Sequence, residues 1–286
     1  MAIAAPHRIL GTRTIGRIGA PLSESIAKAG HIMYFFGRVI ATAPFATRRY
    51  RREFVHILSD IAWGNGSIVV GGGTVGVALV LGFTAGALIG VEGYNALNLL
   101  GLGPATGLIA AFGATRELAP IMVAIAFTTQ AGCRFTAQLG AMRIAEEIDA
   151  TDVLGIRSIP YLVTTRVAAS VIAIIPLFLL CLGASYLACQ LIVGISAGQS
   201  AGTYLHYFGM FVSARDIGFA MIKAFVFVGA ASTLQCYYGY YAAGGPEGVG
   251  IAAGRAMRAS ITVIIVLNML LTMALWGVDS GARFGG

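Results

Sequence analysis

Charge is scarce in this chain. Only 11% of its 286 residues are charged, whereas 57% are hydrophobic, and a soluble domain carries about 25% charged residues. A surface that faces water over most of its area is therefore excluded. The net charge of +7 follows the apolar segments instead of forming one patch, which favours a role in membrane topology over nucleic-acid binding.

Several features of catalytic and metal sites are also missing. Lys28 and Lys223 are the only lysines, and no Gly-x-x-x-x-Gly-Lys-Ser/Thr sequence occurs, so the chain has no phosphate-binding loop for ATP. The four histidines lack metal-ligand spacing, and the four cysteines lie in apolar stretches without a Cys-x-x-Cys pair. We therefore expect no enzyme activity and no cofactor held by this chain. The cysteines are expected to serve as small apolar packing residues.

Long uncharged segments are what the sequence has in abundance. They cover residues 61–91, 93–115, 167–214, 224–246 and 259–278. Each is at least as long as the roughly 20 residues with which a helix crosses a bilayer core. Glycine is also frequent, at 39 residues, which suits the close approach of helices in lipid. The sequence therefore predicts an all-α, polytopic membrane protein.

The number of spans depends on how residues 93–139 are divided. They can form two spans, 93–115 and 118–139, or one return helix over about 105–139. With the Arg-rich N-terminus in the cytoplasm, two spans would leave the next group of arginines outside, against the rule that basic loops stay inside. We therefore predict an N-terminus in the cytoplasm, a C-terminus outside and five spans, at about 67–91, 105–139, 163–194, 216–242 and 257–278.

Residues 1–63 differ from the remainder, 64–286, which we predict to be the membrane domain. They hold nine of the 19 basic residues and no uncharged run long enough to span. Stretch 22–42, after the N-cap candidate Ser23, has apolar residues near helical spacing at Ile26, Met33, Phe36 and Ile40.

A second amphipathic stretch covers residues 47–62. Its apolar face is Tyr50, Phe54, Ile57, Leu58 and Ile61, and its start carries Arg48, Arg49, Arg51 and Arg52. An apolar face beside an arginine cluster is typical of a helix that lies in the membrane interface. The alternative is a solvated basic tail.

Two charges fall at membrane depth in the second predicted span. Placing Arg116 and Glu117 there costs about 2.5–3.5 kcal/mol each on insertion scales, so such residues usually face a cavity or a partner. Pro120 follows one turn later and can loosen the helix. We interpret the three residues as part of a polar pathway, and the alternative is a structural ion pair between helices. Lys223 is expected to extend its stem towards the outer interface.

An acidic segment lies between the second and third predicted spans. Four of the twelve acids occur within seven residues, at Glu146, Glu147, Asp149 and Asp152. The pattern predicts a helix over about 142–155, with Gly155 as its C-terminal stop. An acidic helix on the cytoplasmic side is unsuited to anionic lipid and favours docking on a soluble partner, although a merely solvated face is the alternative. Arg143, Arg157 and Arg166 are expected to hold its ends at the headgroups.

Short motifs along the chain resemble the MlaE/YrbE permease family. They are Arg-Glu-Leu-Ala-Pro (116–120), Gln-Ala-Gly-Cys-Arg (130–134), Leu-Gly-Ala-Met-Arg (139–143), Glu-Glu-Ile-Asp-Ala (146–150), Leu-Gly (154–155) and Tyr-Leu-Val-x-x-Arg (161–166). Tyr-Tyr-Gly (237–239) and Gly-Pro-Glu-Gly-Val-Gly (245–250) resemble the B-type member of the paired actinobacterial YrbE proteins.

This resemblance implies a function and a set of partners. The chain would be a permease subunit, in a bacterial cell membrane, of an ABC transporter that imports lipids with Mce-domain proteins. Residues 146–155 would form the coupling helix on a separate ATPase that binds the ATP, and Arg116 and Glu117 would lie beside the lipid pocket. A second YrbE-type permease would complete a heterodimer. The alternatives are a self-sufficient secondary transporter and a membrane scaffold without transport.

Overall fold

The computed structural model describes residues 12–63 and 73–277, and within these ranges the chain is helical and has no strand. Among the helices of these two ranges, five are long and apolar enough to cross a membrane, which confirms the predicted polytopic fold. The helices are α1 (Thr12–Arg49), α2 (Arg51–Trp63), α3 (Gly73–Asn98), α4 (Gly103–Ile144), α5 (Glu147–Val153), α6 (Ile159–Ser196), α7 (Ala201–Phe211), α8 (Ala214–Tyr240) and α9 (Gly245–Trp276). The candidate spans are α3, α4, α6, α8 and α9.

Some predicted boundaries lie outside the described residues. These are the start of the first span at 67, the end of the last at 278, and residue 64, where the second of the two predicted regions begins. The division into those regions stays a prediction.

Helix α4 is one long helix of 42 residues, as the single-return interpretation predicts. It follows a turn in which Gly101 has a φ of 72°, a left-handed conformation that favours glycine. The helix is not uniform, because Ala110–Leu118 and Thr128–Gly132 form wider π-helical turns. Such turns carry an extra residue and are frequent at functional sites.

Helices α3 and α6 share the most extensive helix contact in the described part of the chain, and small residues line it. A Cβ added to Gly86 would overlap the carbonyl group of Ser185, and one added to Gly82 would overlap that of Cys181. Cys181 and Cys189 are buried and free of disulfides. These cysteines are packing residues, as expected, and the glycines let the two backbones approach.

Helix α1 is longer than the predicted stretch 22–42. It starts at Thr12 and continues to Arg49, so the prediction of a helix start at Ser23 is wrong. Its buried residues are Phe35, Val39 and Ala46, which pack on the rest of the protein. The predicted apolar stripe is on the other side, since Ile26, Met33 and Ile40 are each more than 60% exposed. Helix α1 therefore has two apolar faces, one packed on the protein and one open.

Helix α2 matches the predicted amphipathic stretch more closely. Ile57 and Ile61 are buried, and Phe54 and Leu58 pack beside them. The four arginines are exposed at the junction of the two helices, with Arg48 and Arg49 closing α1 and Arg51 and Arg52 opening α2. Their predicted position at a membrane interface stays a prediction.

The segment between the predicted spans 163–194 and 216–242 contains the helix α7. The Ser200 side chain accepts a hydrogen bond from the Thr203 amide and caps its start. Tyr204 is buried against α4, and this burial raises the pKa of its hydroxyl. The loop therefore packs on the second span and is not an open connection.

Candidate functional site

A polar network joins α4, α8 and α9 among their apolar surfaces, and Glu117 is at its centre. Thr272 Oγ donates to Glu117 Oε1 at 2.8 Å, and Asn268 Nδ2 donates to Oε2 at 2.7 Å. Lys223 Nζ lies 3.2 Å from Oε1. Both carboxylate oxygens are thus engaged, and the negative charge has a cation beside it.

Lys223 does not extend to the outer interface, so that expectation is wrong. Its side chain is 0% exposed, and its ammonium group also donates to the carbonyl oxygen of Arg116 at 2.7 Å and to Thr272 Oγ at 2.9 Å. Three acceptors satisfy the three protons of an ammonium group. The ion pair with Glu117 and these hydrogen bonds offset the cost of burial.

Lys223 takes the place of a backbone donor that Pro120 lacks. In a regular α-helix the amide of residue 120 would donate to the carbonyl of residue 116, but proline has no amide hydrogen. The ammonium group of Lys223 occupies that carbonyl instead. The π-helical segment Ala110–Leu118 ends immediately before this point, so the helix is loosened where the sequence predicts.

Arg116 forms a second ion pair next to the first. Its guanidinium group donates to Asp216 Oδ2 at 3.0 Å, and Trp276 Nε1 donates to Asp216 Oδ1 at 2.6 Å. The Arg116 guanidinium carbon lies 4.3 Å from the ring centre of Phe112 and 5.4 Å from that of Trp276. Stacking of the planar guanidinium group on aromatic rings is a typical use of arginine. The pair fastens α4 to the beginning of α8 and the end of α9.

The pairs Lys223–Glu117 and Arg116–Asp216 are each neutral overall, but their side chains differ in solvent exposure. The side chain of Glu117 is 37% exposed, whereas those of Arg116 and Asp216 are 14% and 13% exposed. The network contains ion pairs between helices, as the structural hypothesis predicts. It also contains an accessible carboxylate, Glu117, as the polar-pathway hypothesis requires. It brings together Arg116, Glu117 and Pro120, which the sequence singles out. It adds Asp216, Asn268, Thr272 and Trp276, for which the signal was a set of polar residues in otherwise apolar spans.

The acidic segment is divided in two, in contrast to the predicted single helix over 142–155. Helix α4 ends at Ile144, and a separate helix of seven residues, α5, covers Glu147–Val153. Glu146 at the junction has a φ of 59°, and Gly155 after the helix has a φ of 77°. Gly155 therefore stops the helix as predicted. Ile148 is fully buried and anchors α5 to the protein.

The four acids of this segment have different environments. Asp149 accepts from Arg143 at 2.7 Å, and Asp152 accepts from the amide and the hydroxyl of Ser158 at 3.0 Å each. Glu146 and Glu147 are exposed. Beside them Val153 and Leu154 are 88% and 76% exposed. The outer surface of α5 therefore combines carboxylates with two large apolar side chains.

One of the arginines expected to bind headgroups is inside the protein. Arg166 is only 7% exposed, and it donates to the carbonyl oxygen of Leu162 at 2.6 Å. The expectation for Arg166 is therefore wrong. Arg157 is exposed, and Arg143 pairs with Asp149.

Comparison with known proteins gives matches over most of the chain. Residues 65–274 match the family described as Permease MlaE. The chain is 30% identical over 199 residues to Protein TRIGALACTOSYLDIACYLGLYCEROL 1, chloroplastic, of Arabidopsis thaliana, an alignment that covers 70% of this chain and 57% of that protein. It is 28% identical to a Probable ABC transporter permease protein of Rickettsia bellii, with 66% and 73% covered.

A third relative has a more specific description. The chain is 25% identical over 202 residues to the Intermembrane phospholipid transport system permease protein MlaE of Haemophilus influenzae. This alignment covers 70% of the chain and 77% of the relative. The region that matches the family, residues 65–274, includes the acidic segment and the polar network except for Trp276.

Proposed function

Because the chain belongs to the MlaE permease family, we propose that it is the membrane-spanning subunit of an ABC transporter that moves lipids. The observation that carries this proposal is the charge-balanced network around Glu117, placed among five apolar spans with its carboxylate accessible. A lipid headgroup needs polar partners inside an apolar path, and this network offers them. The Haemophilus relative, by its description, belongs to a phospholipid transport system.

The energetic need for such a path is large. Moving an acyl chain into water costs about 0.8 kcal/mol per CH2 group, or on the order of 12 kcal/mol for 16 carbons. The apolar spans supply the walls that shelter the chain. The sequence has no phosphate-binding loop, so the proposal assigns ATP hydrolysis to a separate subunit.

We assign the docking of that ATPase to α5. Its exposed surface combines Glu146 and Glu147 with Val153 and Leu154. Apolar anchors surrounded by charged residues are typical of a specific protein interface. The Arg-rich α1 and α2 are assigned to the cytoplasm. Because two spans, α3 and α4, separate α2 from α5, α5 is on the same side. The protein is then a bacterial cell-membrane protein with its C-terminus outside.

A second permease fits the open side of the network. Of the most apolar 18-residue stretch of α9, only 11% is buried inside the protein. Glu117, which bonds to Asn268 and Thr272 of this helix, is partly exposed. A carboxylate that faced acyl chains would be costly. We propose that a YrbE-type partner covers this side and that the lipid passes at or near the interface of the two permeases.

The finer assignment rests on the motifs of the sequence. The segments at 237–239 and 245–250 support a B-type YrbE subunit, with Mce-domain proteins as partners and import as the direction. Fatty acids, mycolic acids and phospholipids all fit the chemistry of an apolar path with a polar centre.

Two variants test the proposal in the assembled transporter. Glu146→Lys/Glu147→Lys is expected to abolish ATPase co-purification and lipid transfer while leaving the permease in the membrane. Glu117→Ala is expected to reduce lipid transfer at least tenfold with the ATPase still bound. Glu247→Lys, at an exposed acid on the same side of the membrane as α5, is the control for charge reversal and should retain both activities.

The result also separates the alternatives. A secondary transporter or a scaffold binds no ATPase through α5. In either case, both variants would co-purify with the same proteins as the unmodified chain. Normal lipid transfer by Glu117→Ala would reduce the network to a structural ion pair.

A further inference from the structure

Helix α5 is joined to the spans on either side of it by bends and not by continuous helix. Glu146, before it, has a φ of 59°, and Gly155, after it, has a φ of 77°. The ion pair between Arg143 and Asp149 is largely exposed, with side chains 37% and 61% exposed, and such pairs contribute little to stability. The buried contacts of α5 therefore determine how this helix is held against the spans.

One of these contacts joins α5 to α8 through two hydroxyls and a carboxylate. Asp152 accepts from the amide and the hydroxyl of Ser158, each at 3.0 Å, and Ser158 Oγ lies 2.8 Å from Tyr240 Oη at the end of α8. A serine hydroxyl has one proton, and an ionised carboxylate only accepts. Ser158 therefore donates to Asp152, and Tyr240 donates to Ser158. We call this series of hydrogen bonds (Tyr240, Ser158 and Asp152) the Tyr240 link.

The ring of Tyr240 is fixed by its aromatic neighbours. Its centre lies 6.2 Å from that of Phe35 of α1, which is 1% exposed, and 5.1 Å from that of Tyr241. Aromatic pairs at these distances attract each other. Ser158 is itself buried, at 5% exposed. Ring packing therefore holds the phenol hydroxyl on Ser158, out of competition with water.

Helix α8 extends from the Tyr240 link to the polar network without a break. Gly239 lies so close to α4 that an added Cβ would be 2.7 Å from the carbonyl oxygen of Thr136. Further along the helix, Lys223 pairs with Glu117. Tyr240 and Lys223 are 17 residues apart on this helix, which corresponds to about 26 Å. A shift of α8 at Tyr240 therefore reaches the network without passing through a loop.

We propose that Tyr240 and Ser158 are positioning residues that transmit the movement of α5 to the Glu117 network. This inference rests on the proposed function, in which α5 docks on the ATPase. When the ATPase displaces α5, Asp152 pulls on Ser158 and Tyr240, and α8 moves together with Lys223. The two backbone bends would otherwise let α5 pivot alone.

The transport test uses the assembled complex with its ATPase and measures the lipid transferred per ATP hydrolysed. Tyr240→Phe keeps the ring and removes the hydroxyl. It is expected to lower this ratio about fivefold, the usual effect of one lost hydrogen bond, with the ATPase still bound. Tyr238→Phe, at the same end of α8 but in the wall of a cavity beside α9, is the matched control and should keep the ratio. An equal fall in transfer and hydrolysis in Tyr240→Phe would leave the ratio unchanged and overturn the proposal.

A double variant tests whether the two hydroxyls act as one unit. Ser158→Ala removes the group to which Tyr240 donates, so adding Tyr240→Phe to it should cause no further loss of lipid transferred per ATP. Losses that multiply in the double variant would show that the hydroxyls act independently, which contradicts the Tyr240 link.

The link can also be measured in the purified full-length protein, without an ATPase or lipid transfer. Tyr240→Phe and Ser158→Ala should each speed amide hydrogen exchange in α5 about fivefold, and Tyr238→Phe should not. Unchanged exchange in α5 would overturn the proposal. A protein that shows this difference but carries no ATPase would overturn the proposed function and, with it, the transmission of movement, while the contact between α5 and α8 would stand.

Discussion

At the scale of single residues, the pairing of Glu117 with Lys223 is the most informative contact in the protein. The sequence draws attention to Arg116, Glu117 and Pro120, because charges and a proline are rare in a span. It does not show which helix supplies the partner, since hydrophobic periodicity defines the faces of a helix but not its neighbours. The sequence therefore does not connect Lys223 with Glu117, and the contact is visible only in the fold, where α8 lies beside α4.

The pair gives a prediction that separates stability from transport. Lys223→Met is expected to lower the free energy of unfolding by about 2 kcal/mol, less than the 3–5 kcal/mol of a fully buried pair because Glu117 is partly solvated. The double variant Lys223→Met/Glu117→Gln should recover most of this loss but not lipid transfer. Thermal unfolding in detergent and a lipid-transfer assay measure the two effects. Full recovery of transfer would mean that the charges serve only the fold.

At the scale of helices, small residues determine how close the spans lie. The abundance of glycine predicted close packing, and the structure locates it at the contact of α3 with α6. Sequence alone does not separate Gly86, which meets the Ser185 backbone, from Gly183, which has open space beside it. The difference depends on which side of each helix meets a neighbour.

These two glycines form a matched pair for mutation. Gly86→Ala is expected to destabilise the protein by about 1–3 kcal/mol, because the new methyl group has to push two backbones apart. Gly183→Ala should be neutral or stabilising by up to about 1 kcal/mol through helix propensity. Unfolding temperatures in the same detergent measure both effects. Similar values for the two variants would contradict the close contact of α3 with α6.

Helix α5 gives a second prediction at this scale. Val153→Ser/Leu154→Ser removes two exposed apolar side chains and should leave the stability of the permease unchanged. It is expected to weaken ATPase binding at least tenfold, as truncation of interface anchors typically does. The affinity in detergent provides the measurement, with Val80→Ser on the exposed surface of α3 as the control. An unchanged affinity for the ATPase would mean that Val153 and Leu154 do not belong to the docking surface.

At the scale of the whole molecule, the five spans were predictable because uncharged runs and the distribution of arginine act over many residues. The choice of one return helix over about 105–139 came from that distribution, and α4 confirms that this segment is a single helix. The extent of α1 was not predictable in this way. Its packed apolar face, with Phe35 and Val39, depends on contacts with helices more than a hundred residues away in sequence.

The orientation can be tested by labelling single cysteines in cells. Val153→Cys in α5 and Met210→Cys in α7 are both exposed and belong to opposite ends of the spans. A membrane-impermeant maleimide should modify Met210→Cys in intact cells and Val153→Cys only after lysis. The native cysteines are buried or half-buried and give little background. The reverse pattern would invert the topology and remove α5 from the ATPase.

The hydrogen bond from Lys223 to the carbonyl of Arg116 restricts how the permease can move. Pulling α4 away from α8 would strand a buried ammonium group and a backbone oxygen that Pro120 has left without its usual donor. These two helices are therefore expected to move as one rigid block. Helix α9 belongs to the same block, because Asn268 and Thr272 hold it to Glu117 and Trp276 holds it to Asp216.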